Sequence, residues 1–223
     1  AELERELKGD KSDRLMGIID THEHLYHAKD LERYLPAARA AGVSTTVVVA
    51  SPSLVLSGRG ANPGEPSMSE NFENDVLPAA KEHPDEIVPF TTLDPKDPNK
   101  LETLKKHVQM GAKGVKLYSG HTSFYTISLD DSSMEPVYSY LEQTGLPVLW
   151  HVNYPKYADE LDRVVEKHPK LDVLLPHYGV CVWGDNDGCL DRLAKLMRKN
   201  KNVYIDVSLG TRELLMDGFS AME

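Results

Sequence analysis

Short apolar, β-branched runs alternate with helix-like segments along nearly the whole chain, and this alternation constrains its fold more than any other feature. The runs are Leu15–Ile19, Thr45–Ala50, Ile87–Thr92, Gly114–Tyr118, Pro147–His151, Leu171–His177 and Val203–Val207. Runs this short and apolar predict strands buried on both faces. Between them, Leu31–Ala41, Asn71–Lys81, Lys100–Met110, Ser133–Gln143, Ala158–Lys167 and Asp187–Lys199 read as helices, and 211–217 begins a further one. Ser69 is the capping candidate for the second helix. Gly42 and Gly111 are helix stops. His83-Pro84 and His168-Pro169 each close a helix and lead into a strand, because proline cannot continue the helix. His83 and His168 are therefore expected at helix ends.

Strand-helix alternation at this spacing means parallel strands joined by crossover helices. Seven strands predict an α/β fold of the (β/α)8 TIM-barrel type, with strands 1–7 visible and the eighth missing from these 223 residues; such barrels typically run to about 250 residues. A doubly wound open sheet is the runner-up, but it expects a glycine-rich phosphate turn after the first strand. This chain has His22-Glu23-His24 there. The expected organisation is a polar extension over 1–14 and one barrel domain over 15–223, incomplete at its C-terminus.

In such a barrel the strand C-termini surround the active site. Asp20-Thr21-His22-Glu23-His24 follows the first run, where a buried strand is expected to meet a loop. Residues two apart on a strand share a face, so His22 and His24 can reach one cation at roughly 2.0–2.1 Å. His151 and His177 end later strands, and Lys116 sits on the fourth. These residues are distant in sequence and converge at one mouth. Glu23 is expected to point away into a structural salt bridge, and Asp20 to support the strand end or a histidine. Tyr118, His121, Asn153 and Tyr178 follow the strands that carry the site and are candidate wall residues for substrate. His27, three residues after His24, is a weaker one. The longest irregular stretch, Ser51 to Ser67, holds Arg59 between two glycines, where it can clamp a substrate carboxylate.

With these residues in place the chain resembles the amidohydrolase superfamily, in its amidohydrolase-related (amidohydrolase 2) branch of metal-dependent hydrolases. The resemblance runs from Gly17 to about Gly210. It rests on Ile19 to His24, Gly111 to Tyr118, Val148 to His151, Leu175 to Gly179 and Asn202 to Ser208. It implies a divalent cation, Zn2+ foremost, one ion or two, held by His22, His24 and His151. His177 would ligate a second ion or stabilise the developing oxyanion. Lys116 would be carboxylated and bridge two ions, serve as an uncarboxylated pocket lysine, or stand at the surface outside the site. The superfamily's metal-binding aspartate belongs to strand 8. Asp206, on the seventh, is expected to help organise the ring instead. The implied activity is a metal-dependent hydrolase whose metal-bound hydroxide attacks an amide, ester or lactone carbonyl. A metal-dependent non-oxidative decarboxylase, a non-catalytic binding protein on a degenerate barrel and a metal-free barrel enzyme are the alternatives.

Composition narrows the partners. A net charge of −10 with no basic stripe argues against a nucleic-acid surface. No apolar stretch is long enough to span a bilayer, and the first residues carry no signal-like apolar core. The expectation is a cytoplasmic enzyme acting on a small-molecule substrate, with further copies of itself as its partners at most. The two cysteines, Cys181 and Cys189, match no zinc or redox spacing and are expected as reduced thiols.

Overall fold

Each of the seven apolar runs becomes a strand in the computed structural model, which describes residues 17–50, 66–121, 127–181 and 188–208. The strands are β1 (Ile18–Leu25), β2 (Val43–Ala50), β3 (Ile87–Thr92), β4 (Gly114–Leu117), β5 (Val148–Trp150), β6 (Val173–Leu175) and β7 (Val203–Ile205). They form one sheet in the order β1-β2-β3-β4-β5-β6-β7, and every pair is parallel. Among the described residues no eighth strand is present, and β1 and β7 are the two edges. Helices α1 (Leu31–Ala40), α2 (Met68–Asn71), α3 (Leu77–Glu82), α4 (Lys100–Met110), α5 (Glu135–Thr144), α6 (Tyr154–Lys167) and α7 (Cys189–Lys199) fill the crossovers. The polar extension, the Arg59 loop and the helix expected within 211–217 lie outside the described residues.

The sheet separates two apolar layers. Inside the curl, Val47, Val49, Phe90 and Leu149 pack together. Outside it, Trp150, Tyr138, Tyr154, Leu161 and Leu193 belong to a larger cluster formed with α5, α6 and α7. Gly114 shows how tightly the inner layer is filled. It pairs with Phe90, and a Cβ there would lie 2.4 to 2.6 Å from three atoms of the Phe90 ring.

Three expectations need correction. First, β1 does not stop at Ile19 but runs on to Leu25, because its pairing with β2 continues to Leu25↔Ala50. His22 and His24 therefore stand within a strand. Between the pairs Asp20↔Thr46 and Glu23↔Val48 the first strand takes three steps against two on the second. That extra residue is a bulge, a device that re-aims side chains. As an edge strand, β1 also leaves Ile18 and Ile19 exposed. Second, the cap of α2 is Ser67, not Ser69: its side chain accepts the Glu70 amide while Glu70 accepts the Ser67 amide, a capping box. A π-helical turn over Phe72–Val76 then joins α2 to α3. Third, Cys181 and Cys189 are not thiols but a disulfide; the fold brings their Cα atoms within 5.4 Å, the separation a bridge requires. His83 and His168 do close α3 and α6.

Candidate active site

The site forms where the C-terminal ends of β1, β4, β5, β6 and β7 meet. The bulged β1 places the His22 ring 4.8 Å from that of His24 and 5.0 Å from that of His177. His151, directly after β5, lies 5.2 Å from His177. Asp206, directly after β7, brings Oδ2 to 3.3 Å from His22 Nδ1. One donor atom from each of His22, His177 and Asp206 lies within 4.8 Å of the others, which makes them the tight donor group among the described residues. His24 and His151 stand beside it. Both His22 Nδ1 and Asp206 Oδ2 are buried without a well-formed hydrogen bond. The two atoms face each other at 3.3 Å, and a cation between them would satisfy both more fully. The residues present therefore fit a divalent ion with nitrogen and oxygen ligands.

The surroundings hold these groups in place. Asp20 accepts the His22 amide through Oδ1 and the Tyr34 hydroxyl through Oδ2, the supporting role expected of it. His24 Nδ1 lies 2.8 Å from the Ala50 carbonyl oxygen and so carries the proton, which leaves Nε2 as its lone-pair atom. Glu23 makes no salt bridge among the described residues. Its carboxylate accepts the His24 amide instead, and burial raises its pKa. Asp206 Oδ1 accepts the amides of His177 and Ser208 and the Ser208 hydroxyl. Ser208 Oγ lies 2.7 Å from His177 Nδ1, so one segment after β7 orients both a ring and a carboxylate.

Burial dominates the electrostatics. It pushes His24 down to about 3, His151 to about 2 and His177 to about 4, with neighbouring charge adding to the effect. His22 is lowered too, again mainly by burial, with Asp206 pulling the other way. Burial alone would raise Asp206, but contacts with His22, Ser208 and the His177 amide more than reverse this and hold it well below the ordinary carboxylate range. Lys116 is wholly buried, lies 2.9 Å from His22 Nε2 and is lowered by desolvation to about 7. The cluster is thus neutral imidazoles, one anion and an amine poised near neutrality, a set able to bind a cation and exchange protons.

The β6 exit is strained. His177, Tyr178, Gly179 and Val180 all have positive φ, at 57°, 52°, 60° and 69°. Left-handed backbone costs roughly 1–2 kcal/mol per L-residue and is rare in succession. Such strain clusters at functional sites, where surrounding structure enforces it.

The expected wall residues divide. Tyr118 and His121 stand against His151, with ring centroids 6.1 and 4.4 Å away, and Lys116 Nζ sits 4.8 Å over the Tyr118 ring. Asn153 occupies the position before α6, its amide bonded to Gly120. Tyr178 is carried by the left-handed turn into the main core. His27 pairs with Asp75 at 3.7 Å, half exposed. Arg59 lies outside the described residues. Asp206 and Ser208 matter more than sequence reasoning suggested; the available signal was a polar Asp-Val-Ser step ending an apolar run.

A parallel sheet wound in sequence order, with histidines and a carboxylate gathered at its C-terminal mouth, defines a barrel-type scaffold with a candidate metal site. The chain matches the amidohydrolase family model (amidohydrolase 2) over residues 19–222 and belongs to that family. Comparison with curated proteins gives no match. Among solved structures it is similar to an uncharacterized TIM-barrel protein of Bordetella bronchiseptica, with TM-score 0.57, 21% identity, and coverage of 79% of this chain and 59% of that one. A probable 2-pyrone-4,6-dicarboxylic acid hydrolase of Acinetobacter baumannii aligns with TM-score 0.67 and 18% identity over 92% of this chain and 77% of its own. A 5-carboxyvanillate decarboxylase of Sphingomonas paucimobilis gives 0.62 and 13% over 93% and 85%. The chain thus spans 59% of the length of the Bordetella protein. At these identities the likeness is one of fold: a TIM barrel, of which seven strands are described here.

Proposed function

We propose that the chain is a metal-dependent hydrolase acting on an amide, ester or lactone of a small organic molecule. The observation that carries this reading is the convergence of His22, His177 and Asp206, with buried donor atoms left over on two of them. These three would hold the ion, with His24 and His151 close enough to complete the set or hold a second. A bound divalent cation, Zn2+ foremost, supplies Lewis acidity and lowers the pKa of water at neutral pH. The chain's own residues do the rest. Asp206 stays ionised and fixes the His177 backbone. Lys116 either donates to a substrate oxygen or, carboxylated, joins the ligands. Tyr118, His121 and Asn153 are assigned to the substrate wall, and Arg59 to a substrate carboxylate.

No helix among the described residues is long and apolar enough to cross a membrane. A cytoplasmic location stays part of the proposal and carries a condition. The cytosolic thiol pool keeps most disulfides reduced, so the buried Cys181–Cys189 bridge would have to be shielded from it.

The test is metal content per chain in protein purified without chelators, beside a His22→Ala/His177→Ala variant, followed by assays of lactone and ester hydrolysis and of CO2 release. About one ion, lost in the variant, with hydrolysis restored by Zn2+, is the expected result. CO2 release without hydrolysis would replace the reaction by a decarboxylation. A folded protein that takes up no ion would refute metal dependence.

A further inference from the structure

The left-handed turn at the β6 exit is held from two sides. On its near side, the Asp206–Ser208 segment binds it: Asp206 Oδ1 accepts the His177 amide at 3.0 Å, the Asp206 carbonyl accepts the Tyr178 amide at 3.1 Å, and Ser208 Oγ meets His177 Nδ1 at 2.7 Å. Its far side ends at Cys181, whose backbone has returned to right-handed values. There the Cys181 amide reaches back into the turn, to the Tyr178 carbonyl at 3.1 Å. Besides the burial of Cys181 in the main core, a covalent tie from that end to the body of the protein is the disulfide to Cys189, the first residue of α7. That helix is itself anchored, with Leu193 and Leu196 buried in the main core. In the middle, Gly179 presses against Tyr154, where an added Cβ would come within 3.0 Å of the Tyr154 Cβ.

Three L-residues in left-handed conformation do not hold themselves there. Opening the far end would free Val180 to relax to ordinary backbone angles, leaving the Asp206–Ser208 contacts and the burial of Tyr178 to hold the rest of the turn and His177. We propose that Cys181 and Cys189 are positioning residues: their disulfide clamps the strained His177–Val180 turn and so keeps the His177 imidazole facing His22 and Asp206. The bridge touches no reacting atom and acts through the turn. Losing a disulfide that only stabilised the fold would lower the melting temperature without a specific link to the turn's conformation. A clamp makes a distinct prediction, because glycine at position 180 tolerates positive φ without the side-chain penalty and should make the clamp unnecessary.

The metal part of the test rests on the proposed function; the amide-exchange part does not. Four proteins are compared: the oxidised chain, Cys181→Ala/Cys189→Ala, Val180→Gly, and the triple variant. Affinity is measured with Co2+ alone, and hydrogen exchange is followed at the His177 and Tyr178 amides. Breaking the bridge is expected to weaken Co2+ binding about tenfold and to speed exchange at both amides by a similar factor. Val180→Gly alone should leave both unchanged. Added to the alanine pair, it should recover most of the affinity and protection while the lowered melting temperature stays low. Unchanged affinity and protection in the alanine pair would overturn the proposal. So would a loss that Val180→Gly fails to recover, which would make the bridge a general staple. If the oxidised chain binds no Co2+, the metal reading fails and exchange alone decides the clamp. If the alanine pair does not fold, exchange is measured on the native chain and on Val180→Gly with excess dithiothreitol. The dithiol closes to its cyclic disulfide as the two cysteines each take up one electron and one proton. Faster exchange in the native chain but not in Val180→Gly supports the clamp, and any other pattern overturns it.

Discussion

Two residues of this chain separate binding from stability. Asp206 spends one carboxylate oxygen on the backbone around His177 and leaves the other beside His22. Asparagine can keep the first role and cannot supply the charge of the second. Asp206→Asn should therefore keep the fold, at a lower melting temperature because the ionised carboxylate is favoured in the folded chain, and lose at least the roughly 10–100-fold in divalent-ion affinity that ligand-orienting groups contribute. Titration with Zn2+ against a competing chelator measures it; wild-type affinity would remove Asp206 from the site. His107 is the converse. It is fully buried on the outer face of the sheet, with Nδ1 2.6 Å from Thr91 Oγ1 and Nε2 2.9 Å from Ser69 Oγ. His107→Leu strands the buried Thr91 hydroxyl, leaves Ser69 its contact with Glu73, and should cost about 1–3 kcal/mol, a melting temperature lower by roughly 2–12 °C at this chain length. Zn2+ affinity should not move. If it falls with stability held, His107 belongs to the site by some route other than packing.

At the scale of elements, the inner layer sets the register between β3 and β4. Gly114→Ala would force its Cβ into the Phe90 ring, and overpacking of this kind costs about 1–3 kcal/mol. Phe90→Leu should relieve most of that in the double variant, measured as a coupling free energy in denaturant melts. Additive losses would mean that the strands shift apart rather than clash. This element-level order was legible in the sequence, because buried parallel strands are written as apolar runs: β3 matches its predicted bounds and α4 its predicted helix. The convergence of His22, His151, His177 and Lys116 followed from strand order alone. The β1 bulge did not, since it depends on pairing with β2 rather than on local propensity. Nor did the left-handed turn, which Asp206 helps to hold from 29 residues away. The disulfide was hidden for the same reason: only the folded path of the chain brings Cys181 beside Cys189. What depends on one element's own residues could be read, and what depends on a second element's backbone could not.

The whole molecule carries these buried groups as a dependence of stability on pH. The folded chain holds His24, His151 and His177 neutral, with pKa values of about 3, 2 and 4, whereas an unfolded histidine titrates near 6.5. As pH falls below about 6.5, the unfolded chain takes up protons that the folded chain cannot, so stability falls with acidification. At pH 5 each of these histidines costs the fold about 2 kcal/mol relative to pH 7.5. The three face one another, so their sum is an upper bound. Asp206, with its folded pKa depressed, adds a loss of the same sign at still lower pH. Lys116 extends the trend upward: lowered to about 7 in the folded chain, it sheds its proton while the unfolded lysine keeps one until about pH 10.4, and stability goes on rising above neutrality. A bound ion needs neutral imidazoles and would bend the curve in the same direction, so the measurement belongs in excess chelator. There the melting temperature should climb by about 10 °C between pH 5 and pH 8. It should climb less in a His24→Gln/His151→Gln variant, which has lost two of the groups responsible. A flat profile in the native chain would mean that water reaches the histidine cluster freely, and that the barrel mouth is open where its side chains are packed as buried.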